Sequence, residues 1–251
     1  MAGHSKWSNI KRRKGAQDAK KGKIFTKLVR ELTTAARLGG GDPAANPRLR
    51  AAIEEAKSNS MPQENIDRAI KRGTGELEGP AVEEVSYEGY GPGGVAIFVE
   101  AQTDNRNRTS ADVRAAFNKN HGNMGQSGSV SWIFQQRGRF VFDADKFTEE
   151  ELMEAALEAG AEDVRPEQNY YVVYSEPTAY AHVLDHFQKR ELPYESAELT
   201  MVADNLMQVS GDEAAQLLRL IERLEDLDDV HRVYANFDID DAELERLSQE
   251  Q

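Results

Sequence analysis

The stretch GTGELEGPAVE, residues 73–83, separates two parts of the chain that have different sequence patterns. It is rich in glycine and glutamate, contains one proline and has few large apolar side chains, which is typical of a linker. Before it, apolar residues recur at helical spacing. After it, short apolar runs that suit strands alternate with helical segments. We therefore predict an α+β protein in which a helical N-terminal domain precedes two small α/β domains, with residues 76–83 as the linker.

Residues 1–75 are predicted to form a basic three-helix domain. In KIFTKLVRELTTAARLG, residues 23–39, the apolar side chains lie on one helical stripe, and the glycines at 39–41 end the helix. Pro47 suits the first turn of a second helix, because the missing N–H of proline has no helical partner there in any case. A third helix is expected at about residues 62–73. Brief links between the helices favour a small helical domain.

The part that follows the linker is predicted to contain two domains of the ferredoxin-like βαββαβ type. One set of elements can be drawn from residues 131–202. The other set needs strands from residues 84–130 and from residues 203–240, so this middle domain is expected to be discontinuous. Residues 241–251 are expected to form an acidic tail.

Local patterns predict several elements of these domains. SVSWIF, residues 129–134, is expected to be a strand, with a separate strand following after a turn. Thr148 with Glu151, and Ser210 with Glu213, have the spacing of capping boxes, so a helix is expected to begin at each pair.

Charge is distributed unevenly along the chain. The protein has 251 residues and a net charge of -13, yet residues 1–75 contain 17 basic and 7 acidic side chains and the remainder contains 14 and 37. Charges farther apart than about 8 Å are largely screened from each other at physiological salt, so the acidic part need not neutralise the basic one. This segregation predicts a polyanion-binding segment on an acidic body. The alternative is a solvated basic face with no partner.

Several function classes find no support in the sequence. The absence of cysteine excludes disulfides, cysteine–zinc sites and thiol nucleophiles. No apolar run approaches the ~20 residues of a membrane span, and no apolar stretch follows the basic N-terminus as in a secretory signal. GQSGS at 125–129 lacks the second glycine of a nucleophile elbow, and no P-loop pattern is present. We expect a cytoplasmic protein that is not an enzyme, has no cofactor or metal and does not bind a membrane.

The first candidate site is the basic stretch SKWSNIKRRKGAQDAKKGK, residues 5–23. A groove for a nucleic acid strand combines cations for the phosphates with a flat ring on which a base stacks. Trp7 suits that role, although it also suits a hydrophobic contact within the helical domain. The predicted nucleic-acid-binding residues of this stretch and of the helix that follows are Lys6, Trp7, Lys11, Arg12, Arg13, Lys14, Lys20, Lys21, Lys23, Lys27 and Arg30.

The second candidate site lies within TDNRNRTSADVRAAFNKNHGNMGQSGSVSWIF, residues 103–134. Side-chain donors are grouped just before an expected helix start, where backbone N–H groups also point outward. The glycines of the later loop allow its backbone to approach a ligand closely. The alternative is a structural turn with capping residues. The predicted nucleic-acid-binding residues are Asn105, Arg106, Asn107 and Arg108, and the predicted functional loop consists of Asn123, Met124, Gly125, Gln126, Ser127, Gly128 and Ser129.

These two stretches, together with GYGPGGVAIFVEAQTDN at 89–105, closely resemble the YebC family. The resemblance extends from AGHSKWSNIKRRKGAQDAKKGKIF through GNMGQSGSVSWIF to the acidic C-terminus, and His121 is the position of the glycine loop expected to vary. It implies a three-helix N-terminal domain, two α/β domains and no catalytic residues. Organellar relatives are translational activators of cytochrome oxidase. Members have been called probable transcriptional regulators, and others look like ribosome-associated factors that assist synthesis through proline-rich stretches.

Two hypotheses follow for the function. The first is a monomeric translation factor that binds ribosomal RNA or tRNA at the ribosome and relieves stalling at proline-rich stretches. Ribosomal RNA offers phosphates to the basic arm and unstacked nucleotides to the glycine loop. The alternative is a transcriptional regulator that binds DNA through the same arm. Phosphate contacts carry no sequence information, and the sequence shows no convincing base-reading helix.

Overall fold

The computed structural model describes residues 21–79, 81–167 and 169–249. Within these ranges the chain forms eight α-helices and ten strands in antiparallel sheets and one short parallel pair, which confirms the α+β class. Residues 132–206 form one compact unit, and the described residues on either side of them form the other. None of the helices in the described ranges is long and apolar enough to cross a membrane.

The elements are numbered in chain order. The helices are α1 (Lys21–Gly39), α2 (Pro47–Ser58), α3 (Gln63–Gly73), α4 (Arg106–Lys119), α5 (Glu149–Glu158), α6 (Tyr180–Lys189), α7 (Gly211–Glu225) and α8 (Asp241–Gln249). The strands are β1 (Glu83–Tyr90), β2 (Ala96–Thr103), β3 (Asn123–Met124), β4 (Phe134–Asp143), β5 (Asp163–Glu167), β6 (Tyr170–Ser175), β7 (Ser196–Ala203), β8 (Met207–Gln208), β9 (Val230–Ala235) and β10 (Phe237–Asp238).

The three helices predicted for the N-terminal domain are present. Their apolar stripes share one core, in which Leu32 and Leu49 are fully buried. Asn46 joins the first two helices. Its side-chain oxygen accepts the N–H of Leu49 at 3.0 Å, and its amide donates to two carbonyls near the end of α1 at 2.8 Å. The predicted proline at the first position of α2 is also confirmed.

The middle domain is a four-stranded antiparallel sheet in the order β3-β1-β2-β9. Apolar side chains of β2 and β9 form a core with α4, α7 and α8. The domain begins with the β1–β2 hairpin, so its element order differs from the expected βαββαβ. Residues 241–249, which were expected to belong to an acidic tail, form α8 instead, because Leu244 and Leu247 are buried in this core.

The third domain has the ferredoxin-like order of elements, β4-α5-β5-β6-α6-β7, in a sheet with the order β5-β6-β4-β7. The expected strand at 129–134 is wrong. Residues 131–133 form a single 3-10 turn, and β4 begins only at Phe134. The backbone N–H groups of Val130 and Ser131 bind a carboxylate rather than a neighbouring strand, which is why no strand forms there.

Of the two expected capping boxes, one is confirmed and one is wrong. At α5 the hydroxyl of Thr148 accepts the N–H of Glu151, whose carboxylate accepts the N–H of Thr148 in return. At α7 the side chain of Ser210 makes no capping hydrogen bond. The N–H of Gly211 donates instead to the carboxylate of Glu243 on α8, at 2.6 Å, so a helix distant in sequence replaces the local cap.

Polar side chains join the helical domain to the middle domain. Glu31 on α1 is buried, and its carboxylate accepts from the guanidinium of Arg48 at 2.7 and 2.9 Å and from the amide of Gln102 at 2.5 Å. Arg48 also pairs with Glu84 on β1 at 2.6 Å. His231 Nε2 lies 3.6 Å from Glu31. The residues predicted to be a linker therefore connect two domains that contact each other through a hydrogen-bonded network.

This network makes the stability of the unit sensitive to mild acid. Burial is the main cause that lowers the pKa of His231 from 6.5 to about 4, so the imidazole is neutral in the folded protein at pH 7. Since the unfolded chain takes up the proton at a higher pH, the free energy of unfolding should fall by roughly 2 kcal/mol between about pH 7 and pH 5. Urea unfolding of the wild type and of His231→Gln at both pH values measures this loss.

The variant should lose that part of the pH dependence, whereas His182→Gln, at an exposed position of the third domain, should retain it. Equal pH dependence of the wild type and of His231→Gln would show that the buried imidazole does not couple protonation to folding.

Candidate nucleic-acid interface

Much of the predicted basic arm lies outside the described residues. This applies to Lys6, Trp7, Lys11, Arg12, Arg13, Lys14 and Lys20. Lys21 is the first residue of α1. The role of these residues in binding nucleic acid stays a prediction.

Three of the predicted cations on α1, Lys23, Lys27 and Arg30, lie against the middle domain. Their side-chain nitrogens donate to backbone carbonyls at and just after the C-terminal end of α7, where such carbonyls have no helical partner. Positive charge is favourable at this end of a helix. The pairs are Lys23 with Asp226 at 3.1 Å, Lys27 with Glu225 at 2.5 Å, and Arg30 with Asp228. These contacts join α1 to the end of α7. Binding of nucleic acid by the three side chains stays a prediction.

The four residues predicted at the start of α4 divide into two kinds. Asn105 caps the helix, because its side-chain oxygen accepts the N–H of Arg108 at 3.1 Å. The guanidinium of Arg108 binds Asp104 at 2.8 Å and is part of the domain contact. Arg106 is 67% exposed, with Glu83 at 3.7 Å, and Asn107 is exposed. All four residues are exposed, but Asn105 and Arg108 are held by contacts within the protein.

Asp229 is the centre of the contact between α1 and α4. Its carboxylate is 7% exposed and pairs with Arg30 and with Arg108, each at 2.8 Å. It also accepts from the hydroxyls of Thr109 at 2.6 Å and Thr103 at 3.3 Å. Burial raises the pKa of Asp229, but the hydrogen bonds and the two guanidinium groups outweigh burial and hold the pKa below its ordinary value. The carboxylate is therefore ionised at neutral pH.

The second candidate site consists of two separate places. The residues of the NRNR group lie at the start of α4, and the glycine loop follows its end. The helix has 14 residues, which places its ends ~21 Å apart at 1.5 Å per residue. Arg114 and Asn118 are exposed between them. The structure therefore does not bring the predicted donors and the loop together at one point.

Glu88 on β1 anchors the glycine loop. Its side chain is buried, and the carboxylate accepts the backbone N–H groups of Gly128 at 2.7 Å, Val130 at 2.7 Å and Ser131 at 2.8 Å. The backbone carbonyl of Glu88 accepts the N–H of Gly125 at 2.8 Å. Four hydrogen bonds thus connect one residue to the whole length of the loop.

The start of the loop is fixed by strand pairing. The two residues of β3 pair with Gly89 and Tyr90 of β1. A Cβ atom at Gly89 would lie 2.6 Å from the carbonyl oxygen of Asn123 and 2.8 Å from the ring of Phe117. A glycine is therefore required here for the close approach of β3 and α4.

The tip of the loop is the part that is open to a ligand. Residues 126–128 are exposed, and Gly128 has a φ of +86°, a conformation that favours glycine. Met124 is half-buried and packs against the core of the middle domain. The carbonyl of Ser129 accepts the hydroxyl of Tyr90 at 3.0 Å. The candidate contact surface of the loop is therefore the amide of Gln126 and the hydroxyl of Ser127.

Sequence reasoning missed the two acids that organise these places, Glu88 and Asp229. Glu88 lies within β1 and Asp229 directly precedes β9, and an acid that is buried at such a position needs a partner. For Glu88 the partners are backbone groups, which leave no trace in the sequence. For Asp229 the position directly before the strand VHRVYANF was the available signal.

Two family models match this chain. Residues 5–76 match the TACO1/YebC protein N-terminal domain, and residues 82–237 match the TACO1/YebC second and third domain.

Full-length relatives are also similar to the chain. A "probable transcriptional regulatory protein" of Geobacter sulfurreducens is 55% identical over 247 residues, which covers 98% of this chain and 100% of that protein. One from Syntrophobacter fumaroxidans, with the same description, is 55% identical over 249 residues, with 99% and 100% covered. The crystal structure of a conserved hypothetical protein from Aquifex aeolicus has a TM-score of 0.81 and 49% identity, and covers 89% of this chain and 93% of that one. The chain belongs to the TACO1/YebC family.

Proposed function

We propose that this protein is a non-enzymatic, nucleic-acid-binding regulator of gene expression that acts at the ribosome and relieves stalling at proline-rich stretches. Relatives 52–55% identical to it are named as regulatory proteins and not as enzymes, which supports the general part of this proposal. The protein is proposed to act in the cytoplasm as a monomer, with ribosomal RNA or tRNA as its partner and without a cofactor.

The observation that carries the ribosomal part is the anchored loop. Its tip is exposed and small, while four hydrogen bonds to Glu88 hold the rest of it in place. Such preorganisation lowers the entropic cost of contacting a ligand. A loop of this kind suits a role in positioning a substrate, whereas the basic arm supplies general attraction to phosphates.

The distribution of charge supports different roles for the N-terminal arm and the third domain. Residues 132–206 contain 16 acidic and 6 basic side chains, so the third domain repels a nucleic acid backbone. Phosphate contacts are therefore expected from the N-terminal arm. The glycine loop is expected to contact a less charged part of the RNA.

A DNA-binding transcriptional regulator is the second candidate, and the names of the relatives favour it. A base-reading helix presents a uniform set of polar or basic side chains to the major groove. The exposed surfaces of α2 and α3 instead mix both charges, with Glu54 and Lys57 on one and Asp67 and Lys71 on the other. Neither α2 nor α3 therefore presents a basic or polar face suited to reading the bases of duplex DNA.

Replacing Gln126 and Ser127 by alanine tests the role of the loop. We expect the double variant to keep its fold, since both side chains are exposed, and to lose most of its activity in a purified translation reaction that reads a run of proline codons. Met124 is left unchanged because it packs against the core. The measurement is the yield of full-length product with and without each protein.

Gln136→Ala, at an exposed position of β4, is the matched control and should stay fully active. A message without proline runs should translate equally with all the proteins. Full activity of the loop variant on proline runs would make the loop a structural turn and remove the main support for the ribosomal role.

A further inference from the structure

Four backbone N–H groups of the glycine loop point into the protein. A glycine-rich loop that binds phosphate directs several N–H groups outward at the anion. Here the N–H groups of Gly128, Val130 and Ser131 donate to the carboxylate of Glu88 at 2.7–2.8 Å, and that of Gly125 donates to its carbonyl at 2.8 Å. These four donors are therefore already used inside the protein and are not available to a phosphate.

The charge of Glu88 also disfavours an anion at this loop. Glu88 as a whole residue is only 4% exposed. Burial alone raises the pKa of this group, but the three backbone N–H donors outweigh burial and lower it. The carboxylate is thus ionised at neutral pH, directly behind the loop, and repels a phosphate at the tip.

The tip itself offers neutral hydrogen-bonding groups. Gln126 provides an amide oxygen and an amide NH₂, and Ser127 provides a hydroxyl. A glutamine amide can bond an adenine at two positions at once, and a serine hydroxyl can serve any base edge or a ribose 2′-OH. In unpaired RNA these groups are accessible, because the bases are not covered by a second strand.

We propose that the loop contacts the base edges and ribose hydroxyls of unpaired RNA and none of its phosphates, and that Glu88 is the positioning residue that holds it for this contact. This inference rests on the proposed function only in so far as the protein binds RNA. It adds the chemistry of the recognised group, which is a set of neutral donors and acceptors.

Equilibrium binding to two RNA hairpins tests the inference. One hairpin has an unpaired 3′ tail of about four nucleotides, the other is blunt, and both are titrated with full-length protein at several salt concentrations. We expect the wild type to favour the tailed hairpin about tenfold, the size of one good bidentate contact. Changing Gln126 and Ser127 together to alanine should abolish this preference without changing the slope of log affinity against log salt.

The possible outcomes separate this inference from the function on which it rests. A shallower salt slope in the double variant would mean that the loop touches phosphates, and equal binding of both hairpins by the wild type would mean that it does not recognise unpaired nucleotides. Either result overturns the inference while RNA binding stands. Failure of the wild type to bind either hairpin would overturn the proposed function itself.

Glu88→Gln tests the positioning role. A glutamine has similar size but accepts through one oxygen only and turns its NH₂ toward a backbone donor. We expect faster hydrogen exchange at Gly128, Val130 and Ser131, loss of the preference for the tail, and unchanged affinity for the blunt hairpin. A full preference for the tail despite faster exchange would exclude Glu88 as the positioning residue. If the variant does not fold, the double variant at the tip still decides the main inference.

Discussion

Replacing Asp229 by alanine is expected to lower the free energy of unfolding by about 1.5–3 kcal/mol, the usual net contribution of hydrogen bonds to a charged group. The carboxylate is 7% exposed and holds Arg30 from the helical domain and Arg108 from α4. Without it, the guanidinium groups of Arg30 and Arg108 lose a carboxylate partner, although Arg108 keeps Asp104 and Arg30 keeps the carbonyl of Asp228. The helical domain should then separate from the middle domain more readily.

Urea unfolding and limited proteolysis measure the effect. Asp229→Asn should lose somewhat less stability than Asp229→Ala, because the amide oxygen still accepts a hydrogen bond from one donor. Asp112→Ala, at an exposed position of α4, is the matched control and should change stability by less than about 0.5 kcal/mol. Because the folded pKa of Asp229 lies below its ordinary value, its contribution is present at neutral pH and is lost only as the pH falls through the folded pKa. A loss below about 1 kcal/mol at pH 7 would show that the ion network does not hold the domains together.

Changing Lys11, Arg12, Arg13 and Lys14 together to alanine is expected to lower the affinity for RNA about 100-fold or more at physiological salt. Each phosphate contact contributes ~0.7–0.9 to the slope of log affinity against log salt. If the arm makes about six such contacts, the wild-type slope should be near -4 to -5, and loss of four should reduce it by about 3. The fold should remain intact. Fluorescence anisotropy at several salt concentrations gives both the affinity and the slope.

The control removes four positive charges from a different surface of the helical domain. Arg50, Lys57, Lys71 and Arg72 are exposed on α2 and α3, and their joint replacement by alanine should affect the slope much less. If the control variant lost as much slope as the arm variant, binding would depend on the overall positive charge of the domain. An unchanged slope in the arm variant would exclude the arm as the binding segment.

The sequence was sufficient for the parts of the fold that depend on local periodicity. The apolar stripes of α1 to α3 and the cap at Thr148 need only neighbours within a few residues, so they could be predicted. The end of the chain could not, since α8 is recognised as part of a core only when Leu244 and Leu247 have α7 beside them. The strand expected at 129–134 failed for a similar reason: its N–H groups bond to Glu88, which lies about forty residues earlier.

The candidate site shows the same limit. The uneven charge of the chain identified the basic arm, and glycine content identified the loop. The contacts of Lys23, Lys27 and Arg30 depend on carbonyls about 200 residues away, which no local pattern reveals. A cation in the sequence indicates an available charge, but only the fold shows whether another part of the chain already uses it.

The insertion of the third domain between β3 and β8 sets an order of events during synthesis. The central strand β2 is complete at Thr103, but its neighbour β9 begins at Val230. At about 5–20 residues per second, the nascent chain waits roughly 6–25 s for that strand. The elements of the third domain are contiguous and emerge within this interval, so this domain can close its sheet first. Until β9 is synthesised, the edge of β2 that it will cover can pair with other nascent chains. The incomplete middle domain is therefore the folding intermediate that most needs a chaperone.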